Sequence, residues 1–370
     1  MRLAFYRKYR PKTFGELMGQ ESTATILQNA ARSGRMAHAY LFYGPRGTGK
    51  TTTARLVAKL LNCERRTTDQ EFNKIGEPCG ECTTCISIDA GQSLDLIEID
   101  AASNRGIDEI RNLKENIGTV PLASPHKVYI IDEAHMLTGA AFNALLKTLE
   151  EPPPHAILIL ATTEYEKLPA TITSRVQRFL FKKLPKAQIF AKLQNIKNRE
   201  NIVIDDAALE LVAAAAEGSL RDAESLLDQI SSSGVAIDLK TAEQLTGRVG
   251  FTKVVHLAEL IGKKDLAASL EYIENLGSDG HNLVQFTRDL IHYLRKVLIL
   301  CINPEKDTPL RSELTMEEIK HAETIANLFI APELTTLLQK LLKAYSEMRY
   351  SPFAAIPLEI ALTEYLPKSQ

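Results

Sequence analysis

The 370-residue sequence has no long apolar stretch, and no run approaches the ~18–20 residues needed to cross a bilayer. The N-terminal residues contain no apolar segment of the kind found in a secretory signal peptide. The 44 basic and 46 acidic side chains leave a formal charge of −2, which excludes a polycation that binds nucleic acid with its whole surface. Sequence repeats and low-complexity segments are also missing. We therefore expect a globular, cytoplasmic protein of about two to four domains without membrane contacts.

Cysteine is scarce but clustered. Four of the five cysteines, Cys63, Cys79, Cys82 and Cys85, lie in one short stretch. In a chain without a secretory signal, this spacing favours a metal site, and four thiolates suit a closed, structural Zn²⁺ site in an insert over about 62–95. Disulfides, an iron–sulfur cluster and four buried free thiols stay open as alternatives. Cys301 shares an apolar helical face and is expected to be an inert core thiol.

The first half of the sequence alternates short apolar runs with amphipathic stretches. The runs are typical of buried strands, and the stretches between them carry apolar residues at i, i+3, i+4 and i+7, which predicts helices. Strands that alternate with helices predict an α/β domain whose mainly parallel sheet is covered on both faces. The runs are residues 39–43, 96–99, 127–131, 156–161 and 176–181.

After Phe181 the strand patterns stop, and the remaining sequence predicts helices. Gly218 interrupts one helical pattern, and Ser219 with Asp222 predicts the N-terminal cap of the next helix. We therefore predict three domains. They are an α/β domain over residues 1–180, a small helical domain over 181–242 and a helical bundle over 243–370.

One segment matches the phosphate-loop pattern G-x-x-x-x-G-K-[ST] between a predicted strand and a predicted helix. Glycines let backbone N–H groups turn toward phosphate oxygens at the helix N-terminus. Lys50 is expected to reach the β- and γ-phosphates, and the Thr51 hydroxyl is expected to ligate Mg²⁺. A chance glycine-rich turn is the alternative. The full match is Gly44, Pro45, Arg46, Gly47, Thr48, Gly49, Lys50 and Thr51.

The apolar run 127–131 delivers two carboxylates, Asp132 and Glu133, at its carboxyl end. Ligands of open α/β sheets bind at that edge, so Asp132 is expected to hold Mg²⁺ and Glu133 to orient a water molecule. An ordinary acidic pair on the surface is the alternative. The sequence has no guanine-reading Asn-Lys-x-Asp motif, which favours ATP over GTP.

The order of these motifs resembles the AAA+ ATPases of the clamp-loader group. The resemblance rests on the phosphate loop and the acidic strand, and on four further motifs. These are Tyr9-Arg10-Pro11, Ala161-Thr162-Thr163, Thr173-Ser174-Arg175 and Gly218-Ser219-Leu220-Arg221-Asp222. The cysteine insert and residues 142–153 are similar to the gamma/tau family of bacterial DNA polymerase III clamp loaders. The resemblance implies an AAA+ P-loop NTPase domain with a parallel sheet, a small helical lid and a helical collar.

The resemblance also implies roles for single residues. Thr163 corresponds to sensor 1, with its neighbour Thr162 as the alternative. Arg175 corresponds to an arginine that acts in trans on the ATP of a neighbouring subunit, although Val176 stands where the family usually has cysteine. Arg221 corresponds to sensor 2, which reaches the γ-phosphate. Three residues would line the adenine pocket, namely Tyr9, Arg10 and Pro11.

The function implied by the resemblance is that of an ATP-hydrolysing motor subunit that loads a sliding clamp onto primed DNA during replication. The implied partners are other clamp-loader subunits in a pentamer held by the collar, the clamp and primed DNA. Some family members contact polymerase and helicase through a further C-terminal region. A non-hydrolysing structural subunit and a ring motor of the branch-migration type are the alternatives. Candidate DNA contacts are Ser103, Asn104, Arg105, Arg111 and Lys114.

Overall fold

The structure is a computed structural model that describes residues 3–103, 116–232, 236–246, 250–303 and 316–366. The chain forms two compact units. The first contains residues 1–184 and 218–222, and the second contains residues 185–217 and 223–370. Among the described residues, no helix has the length and apolar character that a membrane span requires.

The first unit is built on a five-stranded sheet in which every neighbouring pair of strands is parallel. The strand order is β2-β3-β4-β1-β5. The parallel sheet predicted from the apolar runs is therefore confirmed. The strands are β1 (Ala39–Tyr43), β2 (Leu96–Asp100), β3 (Lys127–Asp132), β4 (Ala156–Thr162) and β5 (Gln177–Leu180).

Helices cover both faces of the sheet, as predicted. Because side chains alternate along a strand, Tyr40 packs toward the helices Glu21–Arg32 and Lys50–Asn62, while Leu41 packs on the opposite face with helix Gly139–Glu150. The other helices in the described part of this unit are short. They are Phe5–Lys8, Glu64–Thr68, Gln70–Asn73, Thr83–Ala90 and Ala170–Thr173, with 3-10 turns at Phe14–Glu16, Ala134–Met136 and Tyr165–Lys167.

The strand order determines which loops meet. Strands β1 and β3 both flank β4, with Tyr43 paired to Thr162 and Ile131 paired to Leu160. The segments that follow these three strands therefore emerge side by side at the carboxyl edge of the sheet, where ligands of parallel α/β sheets bind.

The second unit is helical. A bundle with one continuous apolar core is formed by Phe251–Gly262, Leu266–Ser278, Leu283–Ile302, Met316–Ala326, Ala331–Met348 and Ala355–Tyr365. The helices Lys186–Glu200, Asp206–Ala215, Leu220–Ser231 and Leu239–Thr246 precede it in the chain. Cys301 packs against the bundle core, its thiol contacts the Ala326 carbonyl at 3.4 Å, and burial raises its pKa, in agreement with a core thiol.

The helix cap predicted at Ser219 is confirmed, since the Asp222 N–H donates to the Ser219 hydroxyl at 3.2 Å.

The prediction that strand structure ends at Phe181 needs a small correction, because Ile204 and Ile237 form an isolated parallel bridge. A single bridged pair has no periodicity and so leaves no pattern in the sequence.

Asp95, directly before β2, holds a loop against the sheet. Its side chain is buried, and it accepts hydrogen bonds from the N–H groups of Leu122, Ala123 and Ser124, each at 2.8 Å. Burial acts to raise the pKa of Asp95, but the three N–H donors outweigh it and hold this pKa below its usual value. The charged form of Asp95 therefore stabilises the fold.

Replacing Asp95 by Asn should lower the free energy of unfolding by about 2 kcal/mol near neutral pH, because a buried, charged acceptor of three N–H groups is lost. Since the folded-state pKa is depressed, the stabilisation is complete above the unfolded pKa of about 4 and is lost as the pH falls through the folded pKa. Urea unfolding at several pH values measures both effects. The exposed Glu166→Gln is the control, and a difference that does not change with pH would contradict the assignment.

Candidate functional site

The phosphate-loop residues connect β1 to helix Lys50–Asn62. Three glycines have positive φ angles, 141° at Gly44, 72° at Gly47 and 101° at Gly49. A Cβ atom on Gly44 would lie 2.1 Å from the Phe181 carbonyl oxygen, and one on Gly47 would lie 1.9 Å from the Ser219 hydroxyl. The loop therefore requires glycine at these positions, and it leads into a helix N-terminus that favours anions.

The Lys50 ammonium group lies inside this loop. Its side chain is buried, and Nζ donates to the carbonyl oxygens of Gly44 and Pro45, both at 2.8 Å. Burial lowers the pKa of Lys50, and the carboxylates of Glu133 and Asp132 act in the opposite direction. Thr48 is also buried and donates to the Pro45 carbonyl at 2.8 Å. Neutral carbonyls thus hold the lysine where a phosphate oxygen could replace them.

Thr51 and Asp132 bring two oxygen ligands together. The Thr51 hydroxyl donates to Asp132 Oδ2 at 2.8 Å, and Asp132 Oδ1 accepts the Glu133 N–H at 3.0 Å. Hydroxyl and carboxylate oxygens at the end of a phosphate loop fit the ligand preference of Mg²⁺. The sequence predicted this pair, and the structure brings both residues together.

Glu133 adopts a left-handed backbone conformation with φ of 49°. Such strain in a non-glycine residue is typical of functional sites. Its Oε2 accepts a hydrogen bond from the Thr163 hydroxyl at 3.0 Å. The Thr162 hydroxyl instead lies 3.0 Å from Nδ1 of His135. Of the two candidate threonines, Thr163 is the one that contacts the Glu133 carboxylate.

His135 follows the acidic pair by two residues, and the sequence assigned it no role. Its Nδ1 lies 3.4 Å from Glu133 Oε2, and its Nε2 lies 3.1 Å from Glu164 Oε1. The Glu164 N–H also donates to the Thr162 hydroxyl at 3.1 Å. The only signal in the sequence was the position of His135 shortly after the acidic pair.

Arg221 lies beside the phosphate loop. A Cβ atom on Gly47 would approach the Cβ of Arg221 to 3.4 Å. The Arg221 guanidinium lies 5.1 Å from the centre of the Tyr6 ring, a cation–π distance. The hydrogen bond from Arg7 lowers the pKa of Tyr6, and the charge of Arg221 acts in the same direction. Sequence reasoning missed Tyr6, because nothing local distinguishes it from the other aromatic residues of the N-terminus.

The segment expected to line an adenine pocket is partly buried. Tyr9 packs edge-on against Phe5, with ring centroids 6.0 Å apart. Burial and the nearby Arg55 guanidinium lower the pKa of Arg10. Pro11 is half-buried directly after it.

Arg175 is exposed and pairs with residues near it in the first unit. Among the described residues, its guanidinium donates to Glu150 at 2.7 Å, to the Thr171 carbonyl at 2.8 Å and to Ser174 at 3.3 Å. Val176, which replaces the family's usual cysteine, packs against the core of the sheet. An apolar side chain fits that position.

The candidate DNA contacts are described only in part. Ser103 is exposed and donates to Asp100 Oδ2 at 2.9 Å. The other candidates, Asn104, Arg105, Arg111 and Lys114, lie outside the described residues.

The four clustered cysteines converge as the spacing predicted. Their Sγ atoms all lie within 4.8 Å of one another, close to the ~3.8 Å sulfur spacing of a tetrahedral Zn²⁺ site with ~2.3 Å bonds. All five cysteines of the chain are free thiols. The participants are Cys63, which follows helix Lys50–Asn62, together with Cys79, Cys82 and Cys85.

Backbone donors surround the sulfur atoms. The Cys79 N–H points to Cys63 Sγ at 3.3 Å, and the Cys82 N–H points to Cys79 Sγ at 3.2 Å. Burial acts to raise the pKa of Cys79, but N–H groups of Glu81 and Cys82 outweigh it and lower this pKa to about 7. Burial raises the pKa of Cys63 and of Cys85. The cluster therefore offers four convergent sulfur ligands. Of Cys63, Cys79 and Cys85, Cys79 is the most readily ionised.

Three family models match consecutive parts of the chain. The first is described as the DNA polymerase III delta subunit and matches residues 19–185. The second is the ATPase lid domain of DNA polymerase III clamp loader subunits and matches residues 188–234. The third is domain III of the DNA polymerase III subunits gamma and tau, and it matches residues 237–366.

Relatives match along most of the chain. It is 42% identical to DNA polymerase III subunit tau of Bacillus subtilis over 98% of this chain and 62% of the relative. It is 38% identical to DNA polymerase III subunit tau of Escherichia coli over 97% of this chain and 54% of the relative. The chain thus spans 62% and 54% of the length of these two curated relatives.

Among solved structures, the Bacillus subtilis DNA clamp loader delta protein is 16% identical and superposes with a TM-score of 0.40 over 93% of this chain and 99% of that chain, too weak a likeness to bear on function. The sequence relatives and the family models carry the assignment. The chain belongs to the gamma and tau subunit family of bacterial DNA polymerase III, within the AAA+ clamp-loader proteins.

Proposed function

We propose that the chain binds and hydrolyses ATP as the motor subunit of a bacterial DNA polymerase III clamp loader, which places the sliding clamp on primed DNA in the cytoplasm. The observation that carries this proposal is the set of hydrogen bonds at the carboxyl edge of the sheet. It joins Thr51 to Asp132 and Thr163 to Glu133, next to the buried Lys50. Family membership supports the clamp-loader context.

In this proposal, different residues of the chain bind the phosphates, hold Mg²⁺ and orient the attacking water. The loop N–H groups and Lys50 bind phosphate oxygens, and the strongest contribution comes from the charged donor. Thr51 and Asp132 would hold Mg²⁺, which supplies positive charge near the phosphates when bound. Glu133 orients a water molecule and accepts its proton, while the Thr163 hydroxyl holds the carboxylate in place.

Three further features complete the proposed site. Arg221 stabilises charge on the γ-phosphate from its place beside Gly47. Arg175 acts in the site of a neighbouring subunit, and the exposure of its side chain supports this role. The adenine base would lie against Tyr9, Arg10 and Pro11.

The proposed domains are an AAA+ domain over 1–180, a lid over 181–242 and a collar over 243–370, and the division of the chain among three family models supports them. We propose that the collar joins the subunits as a pentamer. Primed DNA and the sliding clamp are the proposed partners. Polymerase and helicase would be contacted through a further C-terminal region.

The alternatives make different demands on the chain. A non-hydrolysing structural subunit does not require Glu133 to be held by Thr163, whereas this chain has that contact. A ring motor of the branch-migration type assembles as a closed ring. Counting subunits in the assembly distinguishes it from a five-membered loader.

The cysteine cluster is proposed to hold one structural Zn²⁺. Four sulfur atoms satisfy the coordination of Zn²⁺ without an open position, so the metal would pin the insert and take no part in hydrolysis.

Lys50→Ala is expected to weaken ATP binding about 10–100-fold, because a charge-assisted hydrogen bond to phosphate is lost. Calorimetric titration of the purified chain with ATP and Mg²⁺ measures the change. Lys74→Ala is the control, since Lys74 is exposed and pairs only with nearby Glu71 among its described contacts. Equal affinities of Lys50→Ala and the unchanged chain would remove Lys50 from the site.

Steady ATP hydrolysis by the assembled loader should rise when primed DNA and sliding clamp are added together. Arg175→Ala should leave ATP affinity intact and lower the stimulated rate by about 10³-fold, because a trans arginine acts on the transition state. Arg178→Ala is a matched control, since Arg178 is exposed nearby and donates to Tyr165 at 3.1 Å. An absence of stimulation would reject the motor function, and a normal rate for Arg175→Ala would reject the trans role.

Metal analysis of the purified protein should find one Zn²⁺ per chain, and Cys79→Ser should lose it because one of four sulfur ligands is removed. Cys301→Ser is the control and should retain the metal, since Cys301 lies outside the cluster. Native protein without zinc, in which the four clustered thiols react freely with a thiol reagent, would reject the zinc site.

A further inference from the structure

We propose that Glu77, in the cysteine insert, is a positioning residue that holds the N-terminal segment against the nucleotide site. The inference rests on the proposed function of the phosphate loop and assigns the insert a part in nucleotide affinity. Glu77 belongs to no motif identified in the sequence. Its contacts single it out.

Both carboxylate oxygens of Glu77 are used. Oε2 accepts the Phe14 N–H at 2.7 Å, and Oε1 accepts the Gly15 N–H at 2.9 Å and the Gln28 side-chain amide at 2.8 Å. Phe14 and Gly15 begin a short helical turn, where backbone N–H groups have no carbonyl partner within the turn. A carboxylate is the strongest acceptor that a side chain can offer to such donors.

The insert itself is held close to the first long helix, Glu21–Arg32. The Arg32 guanidinium donates to the Ile75 carbonyl at 2.6 Å and 3.1 Å. A Cβ atom on Gly76, which has a φ of 72°, would lie 2.8 Å from Arg32 Nε and 3.0 Å from the Gln28 carbonyl oxygen. On the other side of Glu77, the Cys79 N–H contacts Cys63 Sγ. Glu77 therefore projects from a segment that is fixed at both ends.

The segment that Glu77 holds leads to the phosphate loop. Phe14 is 1% exposed and packs in the core beneath the sheet together with Leu17. Leu17 reaches the phosphate loop, because a Cβ atom built on Gly49 would lie 3.9 Å from a methyl group of Leu17. Further along, the Gln20 side chain bonds the backbone of Lys182 at 2.8 Å and 3.3 Å. The proposed adenine-binding residues come shortly before Phe14 in the chain.

Loss of the Glu77 carboxylate would leave the two N–H groups unpaired and let the segment sample other conformations. The apparent dissociation constant of a ligand rises in inverse proportion to the fraction of molecules in the competent conformation. If that fraction falls to about one fifth, nucleotide affinity falls about fivefold. The groups that act on the phosphates would be untouched.

The test compares Glu77→Ala with the unchanged chain. ADP and ATP titrations should give dissociation constants raised about fivefold, and the amides of Phe14 and Gly15 should exchange hydrogen faster. In the assembled loader, KM for ATP should rise while kcat stays within about twofold, a split that general destabilisation would not produce. Zinc content should not change.

Glu71→Ala is the matched control, because Glu71 lies in the same insert and its exposed side chain pairs with Lys74. It should change neither affinity nor exchange. Gly76→Ala, which forces the insert away from Arg32, should reproduce the effect of Glu77→Ala. If Glu77→Ala does not fold, Glu77→Gln keeps the side-chain volume and one acceptor oxygen and should shift the same quantities in the same direction.

The inference is overturned if the unchanged chain binds nucleotide and the folded Glu77 variant binds it equally well, with the Phe14 and Gly15 amides still protected. Failure of the unchanged chain to bind ADP or ATP would overturn the proposed function and this inference together. The two failures are therefore distinguished by the titration of the unchanged chain.

Discussion

The hydrogen bond from the Thr51 hydroxyl to the Asp132 carboxylate joins two halves of the site that lie 81 residues apart in the chain. It can form only because β1 and β3 both pair with β4 in the parallel sense, so that the segments after all three strands reach one edge. An antiparallel neighbour would send one of these segments to the opposite edge. The parallel pairing of β1, β4 and β3 is thus the constraint on which the site depends.

The polar groups of the site satisfy one another within the chain. Lys50 bonds two loop carbonyls, and Glu133 accepts from Thr163. In the proposed function, nucleotide binding would therefore be an exchange of hydrogen bonds, in which charged phosphate oxygens replace neutral carbonyls around a buried ammonium group. The gain is the difference between the two sets of bonds, and it is favourable because bonds between charged partners are the stronger ones.

The helix Lys50–Asn62 connects the site to the cysteine cluster. It begins at the phosphate loop, and Cys63 follows its last residue, so a helix of 13 residues, about 20 Å long, separates the two. The insert returns along helix Glu21–Arg32 and reaches the N-terminal segment through Glu77. The cluster is thereby linked to the proposed nucleotide site at two places, the end of the helix Lys50–Asn62 and the N-terminal segment. Neither place involves the reacting groups.

The sequence by itself determined the features that depend only on residues close together in the chain. The strand β1, the glycine pattern of the phosphate loop and the cap at Ser219 follow from local periodicity and turn chemistry, and the structure has them where the sequence predicted. The convergence of four cysteines also followed from spacing, because two C-x-x-C steps leave few arrangements. Only the tertiary structure decided which of Thr162 and Thr163 faces Glu133, since adjacent residues at a strand end point in opposite directions. It alone paired Glu77 with Phe14, 63 residues away, and Asp95 with a loop 27–29 residues further on. Such contacts produce no periodic pattern in the sequence. A single carboxylate comes within hydrogen-bond distance of its N–H donors only after the sheet and the insert have packed.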